Sequence, residues 1–368
     1  MKKILIILLS SILLVGCNNT TSDEIKLDKF SRTSLLGGFN TTFQFIGYTK
    51  DQTEFDEYYN YAYDRFLYFD SIFDQFKPND LNNGVYRINE LAGQNIPTKV
   101  DDELIELLLI SKEMYDETNK QVDITMGKVI NFWHDSRENI NPDTGISTVP
   151  SIEQLEVSFV EDGFDYLNIN TKTNEVMITN ENISLDLGAV AKGYAAEQIA
   201  LELEQKGLTS GLLVLGGNTR AIGLKPENIN YVAGLRSPDS VFNSFTISLD
   251  SGISLVSSGD YNQFFKDEQG NKYHHVIDPD TFFPSTNARS VSILTTHGKY
   301  ADAISTALLN MTFDEGMQFY EAMKDKYPIE ILWTYDIEDK FDHPNGQIID
   351  GYYLVYTDGF NKSLLTSK

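Results

Sequence analysis

Phe55, Tyr59, Ala62, Phe66, Phe69 and Phe73 recur at steps of four and three residues, which puts them on one stripe and predicts the clearest helix of the chain. Just before it, Phe43 and Phe45 share one side of the alternation over Thr41–Thr49, the period of a strand. A breaker cluster at Lys77–Asn83 precedes a second predicted helix over Asp102–Glu117, carrying Leu104, Leu108 and Tyr115. Gln121–Arg137 is mixed in period, with Trp133 and His134 adjacent. Asn141–Gly145 reads as a surface turn, and Ser151 with Gln154 makes a capping-box start for a further helix.

Tyr166–Leu187 alternates as a three-stranded meander with turns at Thr171–Asn174 and Asn180–Asn182. Its last strand points Ile183, Leu185 and Leu187 inward and Ser184 and Asp186 outward. Just after Gly188 a helix begins, with Ala191, Ala195, Ile199 and Leu203 on its apolar face, and Gly207 stops it. Apolar runs at Leu212–Leu215, Tyr231–Leu235, Phe245–Leu249, Ile253–Val256, Val291–Leu294, Ile329–Trp333 and Tyr352–Tyr356 predict further strands. Tyr300–Asn310 and Asp314–Met323 predict helices. With no repeat and no interdomain linker after Ser34, the pattern predicts an α+β fold, mixed or antiparallel sheets with packed helices, in one domain over residues 35–368.

The N-terminal pattern differs. Lys2 and Lys3 precede an apolar run from Ile4 to Val15, broken only by Ser10 and Ser11 and closed by Gly16 and Cys17. Residues 1–16 read as a secretion leader, too short for a dependable membrane span. The segment LVGC, Leu14–Cys17, resembles a bacterial lipobox, which implies cleavage before Cys17 and a diacylglyceryl group on its sulfur. Asn18–Ser34 is polar and aperiodic, so residues 17–34 read as a tether. The expected location is the cell membrane, lipid-anchored on its extracytoplasmic face. Cys17 is the single cysteine, which excludes internal disulfides and thiolate metal clusters.

The chain of 368 residues is 41% hydrophobic, enough for a real core. Its formal net charge of −25 makes nucleic acid an unfavourable partner. The same field repels anionic small molecules, so a phosphate ligand requires a metal cation or a local positive pocket.

Three stretches carry reactive residue types. The turn at Asp186–Lys192 brings backbone N–H groups and the positive end of a helix to one point, an anion cradle, although Asp186 as a helix cap and Lys192 as a solvated side chain fit the same pattern. Ser257–Pro279 ends in His274, His275, Asp278 and Pro279; His275 fits either a reactive imidazole or a buried, hydrogen-bonded one. His134 reads as a structural histidine. On a helix Asp302 and Thr306 share one face, offering a carboxylate and a hydroxyl to a hard cation such as Mg²⁺, although without context a helix-start acid and a helix-face hydroxyl are the commoner explanation of such a pair. Gly216–Gly217 lacks the G-x-G-x-x-G spacing, which excludes a dinucleotide-binding fold there.

Taken in order, DLGAVAKGYA (Asp186–Ala195), LGGN (Leu215–Asn218), SSGDYNQFF (Ser257–Phe265), HHVIDP (His274–Pro279) and ADAISTAL (Ala301–Leu308) resemble the ApbE family of FAD:protein FMN transferases, over about residues 35–335. The resemblance implies a single catalytic domain of the T-fold-like ApbE type and transfer of FMN from FAD to a threonine or serine hydroxyl of an acceptor protein, with release of AMP and a requirement for Mg²⁺. It assigns metal ligands to the carboxylate of Asp302, the hydroxyl of Thr306 and a backbone oxygen at Ala189. It assigns flavin contacts to Asp186, Lys192, Gln121, Val122, Asp123 and Val276, and more loosely to Phe39 and Phe76. His275 is the expected base, with Asp278 as a candidate to orient it. Three departures stand out. Phe39-Asn40-Thr41 replaces the family's Met-Gly-Thr, and Ala189 occurs where glycine is frequent. Thr281-Phe282-Phe283 replaces a Thr-Gly turn, predicting a bulkier loop. Two other readings remain open from residue types: a metal-dependent FAD pyrophosphatase giving FMN and AMP, and a non-catalytic flavin-binding lipoprotein.

Overall fold

Nine strands pair in one antiparallel sheet in the computed structural model, which describes residues 26–35, 37–239 and 243–365. They are β1 (Asp28–Ser34), β2 (Phe43–Thr49), β3 (Ser210–Leu215), β4 (Asn218–Gly223), β5 (Ser254–Gly259), β6 (Ser290–Thr295), β7 (Ile329–Asp336), β8 (Gly346–Ile349) and β9 (Tyr352–Tyr356), in spatial order 1-2-3-4-5-6-7-9-8. Both faces are covered. Phe43, Phe45, Leu213, Val256, Ile293 and Ile331 point to a core shared with helices, while Leu212, Leu255, Leu294 and Leu332 point to a second core under a small sheet of residues 231–236, 243–249 and 364–365. This is why the inner strands read as unbroken apolar runs rather than alternating ones.

The helices are α1 (Gln52–Phe73), α2 (Val85–Glu90), α3 (Asp102–Glu117), α4 (Gly127–Glu138), α5 (Ile152–Ser158), α6 (Ala191–Gln205), α7 (Gly298–Asn310), α8 (Phe313–Met323) and α9 (Asp358–Ser363). The aromatic stripe of α1 is fully inside, with Phe66 and Phe69 at 0% exposure. The expected capping box at Ser151 and Gln154 opens α5. No helix among the described residues is long and apolar enough to cross a membrane.

Three expectations change. Asp28–Ser34, assigned to the tether, is β1, paired in full register from Asp28 opposite Thr49 to Ser34 opposite Phe43. It is an edge strand with no inward hydrophobic row, so it leaves no alternation to read. The leader, Cys17 and the tether up to residue 25 lie outside the described residues. The third strand of the predicted meander is also absent: β-bridged Ser184 and its neighbours leave the hairpin of 167–170 and 175–178, whose third partner is Thr98–Lys99. Ile183, Leu185 and Leu187 are buried as expected. Their backbone is satisfied elsewhere, by Asn89, whose amide pairs with both polar atoms of Leu185, and by the 124–127 loop, through Asp186 N–H to Ile124 O at 2.8 Å. Finally, α6 starts at Ala191, two residues later than the glycine implied, because 188–190 form a turn.

Candidate active site

The site lies where the turn before α6, the start of α7, the C-terminal half of α4 and the 257–283 region meet. The closeness of α6 and α7 rests on Gly193: a Cβ there would sit 3.1 Å from Asp302 N and 3.1 Å from Gly298 O, both backbone atoms. That approach lets the Gly193 N–H, a free donor in the first turn of α6, bind Asp302 Oδ2 at 2.7 Å. Asn218, at the start of β4, donates Nδ2–H to Asp302 Oδ1 at 3.0 Å, and the Lys192 ammonium is 3.8 Å from Oδ2. Asp302 is 5% exposed, so these three partners compensate a nearly buried charge at the positive end of α6.

One turn along α7, the Thr306 hydroxyl is 3.4 Å from Ser258 Oγ, which also meets Ser305 Oγ at 2.8 Å. Among the described residues no group of three or more His, Cys, Asp or Glu side chains forms a ligand set. The oxygen donors present, Asp302, Thr306 and the carbonyl of Ala189, together with the Asn218 Oδ1, buried without a partner among the described residues, suit a hard cation that keeps waters and substrate phosphates in its other positions. In chemical type they fit Mg²⁺.

Asp186 caps its own turn, accepting the Gly188 N–H at 2.7 Å on Oδ1, while Gln75 donates to Oδ2. Burial pushes its carboxyl up, opposed by the Gly188 bond and by the charges of Arg137, Lys192 and His134. Lys192 reaches back to Gly188 O at 3.1 Å; the N-cap of α6 is Val190, without a side-chain cap bond, so Asp186 closes the turn before the helix rather than capping the helix itself. His134 and Arg137 are three residues apart on one face of α4. The His134 ring stacks on the half-exposed Phe76 ring at 4.1 Å. Arg137 is pushed down by burial, its Nη1 is buried without an acceptor among the described residues, and its charge acts on Asp186 and on both paired histidines. Lys192 and Arg137 thus bring positive charge to this side of the site, of the kind a phosphate ligand of an acidic protein would need.

The paired histidines are held in opposite ways. The His274 ring donates from Nε2 to Ser285 O at 2.7 Å and accepts the Val276 N–H on Nδ1, which fixes it as a neutral structural residue. His275 contacts Asn262 O through Nδ1 at 3.2 Å; a carbonyl can only accept, so Nδ1 carries the proton. His275 Nε2 has no hydrogen-bond partner among the described residues. Burial, His274, Lys192 and Arg137 push the His275 imidazole down to about 3.

Asp278 does not orient His275. Its Oδ1 accepts the Asp280 N–H at 2.8 Å, and its backbone closes the turn with Phe282 and Phe283. That turn is tight despite its bulk: Phe282, at the glycine position, adopts φ +63, its ring meets Phe159, and its carbonyl accepts Trp133 Nε1–H at 2.8 Å. Gln121 joins the same turn through Asp280 Oδ2 at 2.9 Å. Val122 and Val276 are buried, and Asp123 is turned to Thr125 N and Oγ1, with burial pushing its carboxyl up. Phe39 packs its ring on Phe66 and Phe73 of α1, and Asn40 takes φ +49 where the family has glycine. Sequence reasoning missed Arg137, Gln75 and the Asn262 carbonyl. The three-residue spacing of His134 and Arg137 was the available signal for the first; a backbone carbonyl leaves none.

The sequence profile of the ApbE family matches residues 39–331. Among curated relatives, the FAD:protein FMN transferase of Haemophilus influenzae is 26% identical over 241 residues, 64% of this chain and 68% of that one. The FAD:protein FMN transferase of Treponema pallidum is 29% identical over 62% of this chain and 65% of its own length, and that of Escherichia coli K12 is 26% identical over 58% and 60%. The matches thus span about two thirds or less of these relatives. In fold, the chain is similar to the ApbE protein of Thermotoga maritima (TM-score 0.73, 22% identity, 93% of this chain and 100% of that one) and to the apo flavinyl transferase ApbE of Pseudomonas stutzeri (TM-score 0.71, 20% identity, 93% and 98%).

Proposed function

The chain belongs to the ApbE family, and on that premise we propose that it transfers FMN from FAD to a threonine or serine hydroxyl of an acceptor protein, releasing AMP. The observation that carries this reading is His275: a neutral imidazole whose Nε2 has no partner among the described residues, near Lys192 and Arg137. In the step, the acceptor Oγ bonds to the flavin-side phosphorus of FAD, the phosphoanhydride bond to AMP breaks, and the hydroxyl proton passes to His275 Nε2. Lys192 and Arg137 attract the pyrophosphate against the overall negative field. Asp302, Thr306 and the Ala189 carbonyl would hold Mg²⁺, which supplies charge neutralisation on the phosphates when bound. The leader and the lipobox-like LVGC support a lipid anchor on Cys17 and action on the extracytoplasmic face of the membrane.

The test is the intact mass of a candidate acceptor protein after incubation with this protein, FAD and Mg²⁺. An FMN-sized increment on a threonine or serine is the expected result. Free FMN and AMP with an unmodified acceptor would overturn it in favour of a pyrophosphatase, and intact bound FAD in favour of a binder.

A further inference from the structure

The His275–Asn262 contact joins two segments with no regular structure of their own. Asn262 follows β5 in the loop 260–263; His275 follows the short hairpin of Phe265–Lys266 and Lys272–Tyr273. One residue is tied to both sides. Asp260 Oδ2 accepts Arg289 Nε–H at 2.7 Å and faces Lys272 Nζ at 3.3 Å, on the hairpin strand that leads into the histidines. Its backbone N–H binds Arg289 O at 3.0 Å, so the start of the loop is fastened to the residue just before β6. Arg289 is fixed in turn by its N–H to Thr334 O at 2.9 Å, Nη1 to Asp336 Oδ1 at 2.7 Å and Nη2 to Asp239 Oδ1 at 2.9 Å. On the other flank Arg236 Nη1 donates to Asn262 Oδ1 at 3.1 Å.

We infer that Asp260 is a positioning residue: clamped between Arg289 and Lys272, it holds the Asn262 carbonyl against His275 Nδ1 and so keeps the His275 proton on Nδ1 and the Nε2 lone pair available to the reaction. In the absence of the clamp both ring nitrogens face solvent or the cleft, and neither the tautomer nor the ring plane is fixed. The arrangement also separates the two histidines. His274 is locked in the opposite tautomer by Ser285 and Val276, contacts that do not pass through Asp260.

This inference rests on His275 acting as the base, and its first readout requires no turnover. The chain has five histidines, so long-range ¹⁵N–¹H spectra of the ¹⁵N-labelled full-length protein resolve their tautomers, with His275→Gln assigning the key resonance. The expected wild-type result is His275 protonated on Nδ1 and His274 on Nε2. In Asp260→Ala, His275 becomes a mixture of tautomers while His274 keeps its signature; Asp260→Asn, which retains an acceptor for Arg289, stays close to wild type. Alongside this, kcat for FMN transfer falls at least about 10-fold in Asp260→Ala with KM for FAD unchanged. A wild-type His275 protonated on Nε2, or Asp260→Ala with unchanged His275 tautomer, would overturn the inference. Loss of both histidine signatures together would overturn it too, making Asp260 a general support. If the tautomers behave as expected while no FMN transfer is found, it is the proposed reaction that fails and the clamp that stands.

Discussion

Burial above all, then the neighbouring His274 ring and two cations, make His275 hard to protonate, and that has a kinetic sign. With its imidazole pushed down to about 3 from its usual range, the free protein keeps the base form throughout neutral pH. The acidic limb of kcat/KM, which reports the free enzyme, is expected below the ordinary histidine value of about 6.5. Removing a nearby positive charge favours the protonated ring, so Arg137→Met should move that limb to higher pH and raise KM for FAD. A limb that stays in place in a pH–rate series would take Arg137 out of the site. His275→Ala should lower kcat by about 10²–10⁴ with FAD binding retained, measured by flavin fluorescence alongside FMN incorporation. Full transfer by that variant would remove His275 as the base.

At the level of elements, the α6–α7 contact is the joint on which the candidate metal side depends. Ala in place of Gly193 gains about 1 kcal/mol of helix propensity. The added Cβ meets backbone atoms of α7 that cannot rotate away, and overpacking of that kind costs about 1–3 kcal/mol. Gly193→Ala is therefore expected to lower the melting temperature and to raise the Mg²⁺ concentration needed for half-maximal transfer, because Asp302 is displaced with the helix. An unchanged metal titration would show that Asp302 does not depend on this crossing. The same elements show what could be read from the chain and what could not. The α1 stripe was legible because every one of its apolar positions is spent on a single core. Helix α4 was not, because it packs through Val129 and Trp133 against Leu155, Phe265 and Ile277 while His134 and Arg137 turn toward the site, which mixes the period. Asp278 misled because closeness in sequence is not closeness in a turn: the chain folds its carboxylate onto Asp280 N. Asn262 was invisible because its contribution is a main-chain oxygen.

For the molecule as a whole, the sheet begins earlier than its hydrophobic pattern. Residues 28–34 cover the edge of β2, and Arg32 binds Asp56 at 2.6 Å and lies 4.4 Å over the Tyr59 ring. A chain starting at residue 35 should melt at least about 4 °C below one starting at residue 26 and aggregate more readily through its bared strand edge. Equal thermal unfolding of the two would demote β1 to an ornament of the fold. The metal side has the opposite character. Asp302 already holds the Gly193 N–H, the Asn218 amide and the Lys192 charge, so EDTA is expected to stop transfer while leaving the melting temperature nearly unchanged. A large loss of thermal stability on chelation would contradict that. With its carboxylate held by a lysine and two N–H groups, Asp302 ties α6, α7 and β4 together through the protein's own atoms, so the site's geometry and the fold's integrity share one joint.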